Sequence, residues 1–255
     1  MRAALALAAA SMVAAACGDG TGIVRAPAVE APRADVVTFT SDGIELSGFA
    51  FGSGDTAVVL AHGQGGAKED WIDVAVALST NDVASFIFDF RGYAGQEGTA
   101  DEGLVDDLRA AVQAVRDRGA SQIYVVGASM GGAAALATAA EEDLAGVISV
   151  SSPAKFKGVD ARTAAAAVDE PSVFVAAEDD QPFADHAEDL SSAAEGRLVT
   201  YSGDAHGTEL LEEHGDKLTE LIISFAKDPQ QATPNGAPGA GATGGEIPEL
   251  APTAP

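Results

Sequence analysis

Short apolar runs alternate with longer amphipathic segments along the middle of the chain. Short runs rich in Val, Ile and Phe are typical of strands that are buried on both faces of a sheet. Segments with apolar residues at a period near 3.6 are typical of helices packed on such a sheet. The pattern predicts strands at residues 36–40, 44–49, 57–61, 84–90, 122–126, 147–150, 173–177 and 198–201. It predicts helices at residues 71–78, 104–118, 130–140, 183–192 and 210–226.

The order of these elements indicates the fold class. The first two predicted strands flank a Ser-Asp-Gly turn at residues 41–43, which favours an antiparallel hairpin. Helices separate most of the later strands, and this arrangement favours parallel pairing with helices on both faces of the sheet. We therefore expect an α/β fold with a mostly parallel, eight-stranded sheet in one domain at residues 35–227.

The N-terminus has the features of an export signal. A single arginine and a short apolar run precede Cys17, the only cysteine of the chain. This predicts a signal peptide at residues 1–16, which is too short to span a bilayer. The Ala-Ala-Ala-Cys sequence that ends at Cys17 resembles a bacterial lipobox. Lipidation of Cys17 would hold the protein on the outer face of the cell membrane. The alternative is an ordinary signal peptide and a secreted or periplasmic protein.

The regions on either side of the predicted domain have compositions typical of unfolded chain. Residues 17–34 are rich in Gly, Ala and Pro, and this composition predicts a flexible tether. Residues 228–255 are rich in Pro, Gly, Ala and Thr without periodicity and predict a disordered tail.

The charge excludes some classes of partner. The 255 residues carry a formal net charge of −25 at pH 7. A chain this acidic is not expected to bind nucleic acid or anionic lipid headgroups through a basic patch. A single cysteine also leaves no possibility of an intrachain disulfide.

A Gly-Ala-Ser-Met-Gly sequence at residues 127–131 lies between a predicted strand and a predicted helix. A Gly-x-Ser-x-Gly sequence in this position predicts a nucleophile elbow, a turn tight enough to require glycine on both sides of the serine. The elbow would raise Ser129 above the sheet, with the N–H of Met130 at a helix N-terminus where negative charge is stabilised. A glycine-rich turn with an incidental serine is the alternative.

Candidate partners of Ser129 follow two later strands. Ligands of an open α/β sheet lie beyond the carboxyl ends of its strands. The acidic run Glu178, Asp179, Asp180 follows the seventh predicted strand, and His206 follows the eighth. A serine hydroxyl needs an adjacent base to become a nucleophile, and the base needs a third group to orient it. The order serine, acid, histidine is the one this architecture requires.

Residues in two other loops at the carboxyl ends of strands have predicted roles. Residues 62–66 form a His-Gly-Gln-Gly-Gly loop after the third strand. We expect the backbone N–H of Gln64 to be available to an oxyanion and His62 to be structural. After the fourth strand, Asp89 and Arg91 are predicted to pair across the turn and brace the loops.

These motifs resemble the α/β-hydrolase fold family, in particular its small members without a cap that are related to dienelactone hydrolases and serine aminopeptidases. The resemblance covers about residues 36–226 and includes the oxyanion loop at 62–66, the elbow at 127–131 and the histidine loop at 203–207. In the family the acid is usually the Asp of a Gly-x-x-Asp sequence that follows a proline and a strand. That pattern selects Asp180 here if Ala177 replaces the glycine, and it leaves Asp179 and Glu178 as alternatives.

The chain departs from these relatives in two ways. Dienelactone hydrolases have a cysteine nucleophile, so a serine here does not imply their substrate. The short segment at residues 151–172 leaves no space for a lid. We therefore expect no cap domain and an open, shallow site. The candidate residues to line it are Phe183, Phe156, Met130 and Tyr93.

The resemblance implies a serine hydrolase that acts by acyl transfer without a metal or an organic cofactor. Ser129 would be the nucleophile, His206 the base and Asp180 the orienting acid, with the backbone N–H groups of Gln64 and Met130 as oxyanion donors. The expected partner is a small-molecule ester or amide substrate. The sequence leaves the oligomeric state open, with a monomer as the default. An aminopeptidase-like or amidase-like hydrolase is one alternative. A non-catalytic surface lipoprotein that uses the fold for binding is another.

Overall fold

The computed structural model describes residues 33–232, which form one sheet covered by helices. The strands are β1 (Ala34–Ser41), β2 (Ile44–Phe51), β3 (Thr56–Ala61), β4 (Ala84–Phe88), β5 (Gln122–Ala128), β6 (Gly146–Val150), β7 (Ser172–Ala177) and β8 (Arg197–Tyr201). The α-helices are α1 (Ile72–Thr80), α2 (Leu104–Asp117), α3 (Met130–Ala139), α4 (Ala161–Ala165), α5 (Phe183–Ala193) and α6 (Leu210–Lys227). Short 3-10 helices lie at Lys68–Trp71, Gly207–Glu209 and Pro229–Ala232.

The eight strands form one sheet in the order β1-β2-β4-β3-β5-β6-β7-β8. β1 pairs antiparallel with β2, and β2 pairs antiparallel with β4. Every other pairing is parallel. The predicted fold class is therefore confirmed, including the leading hairpin. The carboxyl ends of β3 to β8 lie along one edge of the sheet, which brings together the loops that follow them.

The central strands are apolar on both faces because helices cover both sides. Along β3, Ala57, Val59 and Ala61 pack in the layer that contains α2 to α5. The alternate residues Val58 and Leu60 pack in the other layer, with α1 and α6. Alternation along a strand thus contributes apolar side chains to two separate cores.

The predicted elements differ from the structure at β4 and at α4 in particular. The pattern predicts one strand at residues 84–90, but β4 ends at Phe88, and two residues later the backbone N–H of Phe90 has a side-chain acceptor instead of a neighbouring strand. The Asp89 carboxylate accepts hydrogen bonds from Lys68, and the Phe90 N–H donates to His62. The short helix α4 was not predicted, and its first turn is capped by the Asp160 carboxylate, which accepts from the Thr163 N–H at 3.1 Å.

The segment between β6 and β7 contains only α4 and its connecting turns, so the described part of the chain has no cap domain, as predicted. No helix within residues 33–232 is long and apolar enough to cross a membrane. The predicted signal peptide and Cys17 lie outside the described residues, as does the predicted tail beyond residue 232. Lipidation of Cys17 stays a prediction.

Candidate active site

Ser129 occupies the sharp turn between β5 and α3, with φ 50° and ψ −114°. This is a left-handed φ, which is uncommon for a residue with a side chain and is typical of strained functional sites. The Ser129 N–H donates to the Val150 carbonyl at 2.8 Å and anchors the turn to β6. A Cβ atom on Gly127 would collide with the Gly131 backbone, and one on Gly131 would collide with the Ala61 and His62 carbonyls. The two glycines are therefore required by close packing, as the sequence predicts.

The structure brings His206 into contact with Ser129. His206 lies on the loop after β8, and its Nε2 is 2.9 Å from the Ser129 Oγ. The histidine side chain is 33% exposed, so the nucleophile and the base are open to solvent. Its ring contacts the Phe183 ring with 4.1 Å between centroids. The His206 N–H also donates to the Glu209 carboxylate at 3.2 Å, which fixes the loop that carries the ring.

Asp180 is the member of the acidic run that faces His206. Its carboxylate oxygens lie 2.9 Å and 3.1 Å from the histidine Nδ1, and its side chain is only 6% exposed. Glu178 and Asp179 are exposed to solvent instead. Their N–H groups donate to the Tyr201 and Gly203 carbonyls, which ties the loop after β7 to the loop after β8. These backbone bonds bring Asp180 next to His206.

The loop after β3 flanks Ser129, as predicted. A Cβ atom on Gly63 would be 3.5 Å from the serine Cβ. Gln64, the next residue, has an exposed side chain whose Nε2 donates to Asp101 Oδ2 at 3.0 Å. On the other side of the serine, Met130 begins α3 and is fully buried. Backbone N–H groups in the first turn of a helix have no acceptor within the helix, so the N–H of Met130 is not used by an intrahelical hydrogen bond.

The model of the alpha/beta hydrolase family matches residues 58–245, a range that includes the elbow, the acidic run and the histidine loop. The chain belongs to the alpha/beta hydrolase family. Its fold and the order of its site residues both agree with that membership.

Known proteins similar to this alpha/beta hydrolase fall into two groups. The uncharacterized protein Rv2307c of Mycobacterium tuberculosis is 33% identical over 122 residues, which cover 45% of this chain and 43% of that protein. The chain thus spans less than half the length of this curated relative. An esterase of Pyrococcus furiosus superimposes with a TM-score of 0.65 at 18% identity, over 77% of this chain and 91% of the esterase. A dienelactone hydrolase from Anabaena variabilis gives a TM-score of 0.66 at 22% identity, over 78% and 99% of the two chains. These structures share the fold.

His62 is buried and has a structural role, in agreement with the prediction. Its Nε2 accepts the Phe90 N–H at 3.2 Å. Its Nδ1 must therefore hold the proton and donates to the Gly63 carbonyl at 2.7 Å. Burial lowers the pKa of His62 below its usual value of 6.5. The neutral ring thus joins the end of β4 to the loop beside Ser129.

The lowered pKa of His62 predicts a loss of stability in mild acid. Between the folded and unfolded pKa values, the unfolded chain binds a proton that the folded protein does not. The free energy of unfolding should therefore fall as the pH drops below about 6.5, with a slope of up to about 1.4 kcal/mol per pH unit from this group. Urea denaturation from pH 8 to pH 5 measures the slope. His62→Gln should lack this contribution to the pH dependence. If the free energy of unfolding falls with pH in parallel for wild type and the variant, the prediction is wrong.

Asp89 and Arg91 brace the loops but do so through other partners than predicted. The Asp89 carboxylate accepts from the Lys68 backbone N–H at 2.8 Å and from the Lys68 ammonium at 2.6 Å. The Arg91 guanidinium donates to the Asp107 carboxylate at 2.6 Å and 2.9 Å, and to Asp42 at 3.1 Å. The predicted pairing of Asp89 with Arg91 is therefore wrong. Each side chain instead joins its loop to a different helix.

Two of the four predicted lining residues lie at the site. The Phe183 ring is half-buried against His206, and Tyr93 reaches Met130 with its hydroxyl. Met130 itself is buried in the core, and Phe156 packs against the layer of α2 to α5.

Asp101 was not predicted as a site residue, although both of its carboxylate oxygens have partners in loops beside Ser129. The only sequence signal was an acidic residue shortly before a predicted helix. Within residues 33–232, no three His, Cys, Asp or Glu side chains are grouped so that they could hold a metal ion.

Proposed function

We propose that this alpha/beta hydrolase cleaves carboxylic esters of small or medium size through a covalent acyl-enzyme. The observation that carries the proposal is the continuous hydrogen-bonded path from the Ser129 hydroxyl through His206 to Asp180. Its two links are 2.9 Å from Oγ to Nε2 and 2.9 Å from Nδ1 to the carboxylate. These distances are within the range required between a nucleophile, its general base and the group that orients the base.

The first half of the reaction forms the acyl-enzyme. His206 Nε2 accepts the Ser129 proton while Oγ bonds to the carbonyl carbon of the ester. The electron pair of the carbonyl π bond moves to its oxygen, and the N–H groups of Gln64 and Met130 bind the oxyanion. Each such donor typically contributes about 3 kcal/mol to the transition state. The C–O bond of the ester then breaks, and His206 returns its proton to the departing alkoxide, which leaves as the alcohol.

The second half releases the acid. His206 takes a proton from water as the water oxygen bonds to the acyl carbon, and a second oxyanion forms in the same place. When the bond to Ser129 breaks, His206 gives the proton back to Oγ and the carboxylic acid departs. In both halves Asp180 holds the Nδ1–H tautomer of His206 and stabilises the imidazolium.

The surroundings of the site favour a neutral ester of modest length. The segment between β6 and β7 is short and His206 is one-third exposed, so a substrate reaches Ser129 from solvent without passing a lid. An open site has few apolar walls with which to bind a long acyl chain. The net charge of −25 also disfavours strongly anionic substrates.

The proposal is tested by assaying the full chain against p-nitrophenyl esters of graded acyl length and against aminoacyl anilides. We expect the short esters to be hydrolysed fastest, and we expect a fluorophosphonate probe to label Ser129. Hydrolysis of the anilides in preference to the esters would favour the aminopeptidase-like alternative. A chain that neither reacts with the probe nor hydrolyses any substrate would be a binding protein, and the proposal would be wrong.

A further inference from the structure

Two polar side chains outside the Ser129–His206–Asp180 path lie between the two halves of the proposed oxyanion hole. Tyr93 is on the loop after β4, and Asp101 lies just before α2 with a left-handed φ of 66°. Neither residue has a place in the proton transfers of the proposed reaction. Tyr93 nevertheless contacts Met130, and Asp101 contacts Gln64.

Tyr93 contacts both sides of the proposed oxyanion hole. Its ring packs edge to face on the ring of His62, the first residue of the loop after β3, with 5.2 Å between centroids. Its hydroxyl lies 3.4 Å from the Met130 Sδ, at the start of α3, and donates its proton to Asp101 Oδ1. Tyr93 therefore links the loop that provides one oxyanion donor to the side chain of the residue that provides the other.

Asp101 completes this connection with its second oxygen. Oδ2 accepts from the Gln64 Nε2 at 3.0 Å and lies 3.5 Å from the Lys157 ammonium. The carboxylate is only 17% exposed. Burial and the Asp101 carboxylate raise the pKa of Tyr93 above its usual value, so the phenol keeps the proton that it donates. One carboxylate thus holds both Tyr93 and the Gln64 side chain.

We propose that Tyr93 and Asp101 are positioning residues that hold the Gln64 and Met130 N–H groups at the spacing a tetrahedral oxyanion requires. The proposal rests on the proposed ester hydrolysis, because an oxyanion hole matters only if an oxyanion forms. The loop at residues 62–66 is exposed at Gln64 and Gly65, and a backbone bond from the Gly66 N–H to the Gly63 carbonyl closes it into a turn. The bond from Gln64 Nε2 to Asp101 attaches the exposed tip of this turn to the segment before α2. A displacement of a donor by a fraction of an ångström weakens its bond to the oxyanion far more than its contact with a neutral ester.

The test compares Tyr93→Phe, Asp101→Asn and the double variant with wild type in the full chain. Asparagine has about the size of aspartate and tolerates the left-handed backbone at this position. Only one of its two terminal atoms, the amide oxygen, can accept a hydrogen bond. We expect kcat to fall about tenfold in each single variant, while KM changes by less than about twofold, as for groups that act on the transition state. The affinity for a trifluoromethyl ketone, which forms an oxyanion on Ser129, should fall by the same factor as kcat/KM. The double variant should lose little more than either single variant, because both changes break one network.

The chain offers matched controls for both substitutions. Asp82 is exposed and has the same left-handed backbone, with φ 63°, at the opposite edge of the sheet. Tyr124 is buried in β5 and packs on Phe225 in the layer of α1 and α6. Asp82→Asn and Tyr124→Phe should leave kcat and the ketone affinity unchanged.

The possible results separate this inference from the proposed function. If wild type hydrolyses esters and the Tyr93 and Asp101 variants match their controls, the positioning role is wrong and the proposed function stands. An increase in KM with unchanged kcat would also overturn it, since that indicates a substrate-binding role. Wild type without activity would overturn both proposals. If Asp101→Asn fails to fold, Tyr93→Phe decides alone, because it removes one oxygen atom and keeps the ring packing.

Discussion

Ser129→Ala should lower kcat/KM for a short ester by a factor of about 10⁴ to 10⁶. The substitution removes the only atom that can bond to the acyl carbon in the proposed mechanism, and His206 is left without a proton to transfer. Labelling by a fluorophosphonate should be lost together with the activity. The fold should persist, because the Ser129 hydroxyl contacts only His206 and the backbone of the elbow is unchanged.

A neighbouring serine provides the control for this prediction. Ser149 lies on β6 beside the elbow, is 2% exposed, and has a hydroxyl without a hydrogen-bond partner. Ser149→Ala should retain full activity and the same thermal midpoint or a higher one, because it removes a buried polar group that has no partner. Ester hydrolysis that survives Ser129→Ala would show that another group is the nucleophile.

Asp180→Asn should lower kcat by a factor of about 10⁴, although it changes one atom of a side chain. An asparagine amide can donate to Nδ1, which then carries a lone pair, so the proton moves to Nε2. In that tautomer His206 cannot accept the Ser129 proton. A full kinetic analysis with a short ester measures the effect, and KM should change little because Asp180 does not contact the substrate.

The adjacent Asp179 provides the comparison. Asp179 is exposed, and its structural bond to Gly203 is made by the backbone N–H, which a substitution to Asn preserves. Asp179→Asn should therefore keep nearly all of the activity. If Asp179→Asn were the more damaging of the two, the loop would have to be rearranged in solution and Asp180 would lose its proposed role.

The strands and most helices could be predicted because each has a clear apolar pattern over several residues. The limits of the pattern appear at β4. Phe90 is as apolar as the strand before it, but its N–H bonds to the His62 ring, and nothing in the local sequence indicates a side-chain partner 28 residues away. The helix α4 was missed for a different reason. It is five residues long, too short for a helical period to be visible.

The site residues show a similar division. Ser129 and His206 could be predicted because each lies in a short motif with glycines at fixed positions. Within the acidic run the family pattern selected Asp180 but left Glu178 and Asp179 as alternatives, and the contact of the Asp180 carboxylate with His206 decides between them. The partners of charged side chains were harder still to predict. Asp89 and Arg91 are two residues apart, but their actual partners are Lys68 and Asp107, and opposite charge alone does not select between them.

The proposed active site also connects the two helical layers on opposite faces of the sheet. Ser129 directly precedes α3, which packs in one layer, whereas His206 is followed by Leu210 and α6, which pack in the other. The 2.9 Å bond between them therefore joins segments that lead into different layers. Asp180 holds the His206 ring from the loop after β7, whereas the bond from the His206 backbone N–H to Glu209 ties it to the segment that leads into α6. If the proposed function is right, local opening of α6 should lower the rate of ester hydrolysis by loosening the His206 loop, while most of the secondary structure persists and circular dichroism changes little.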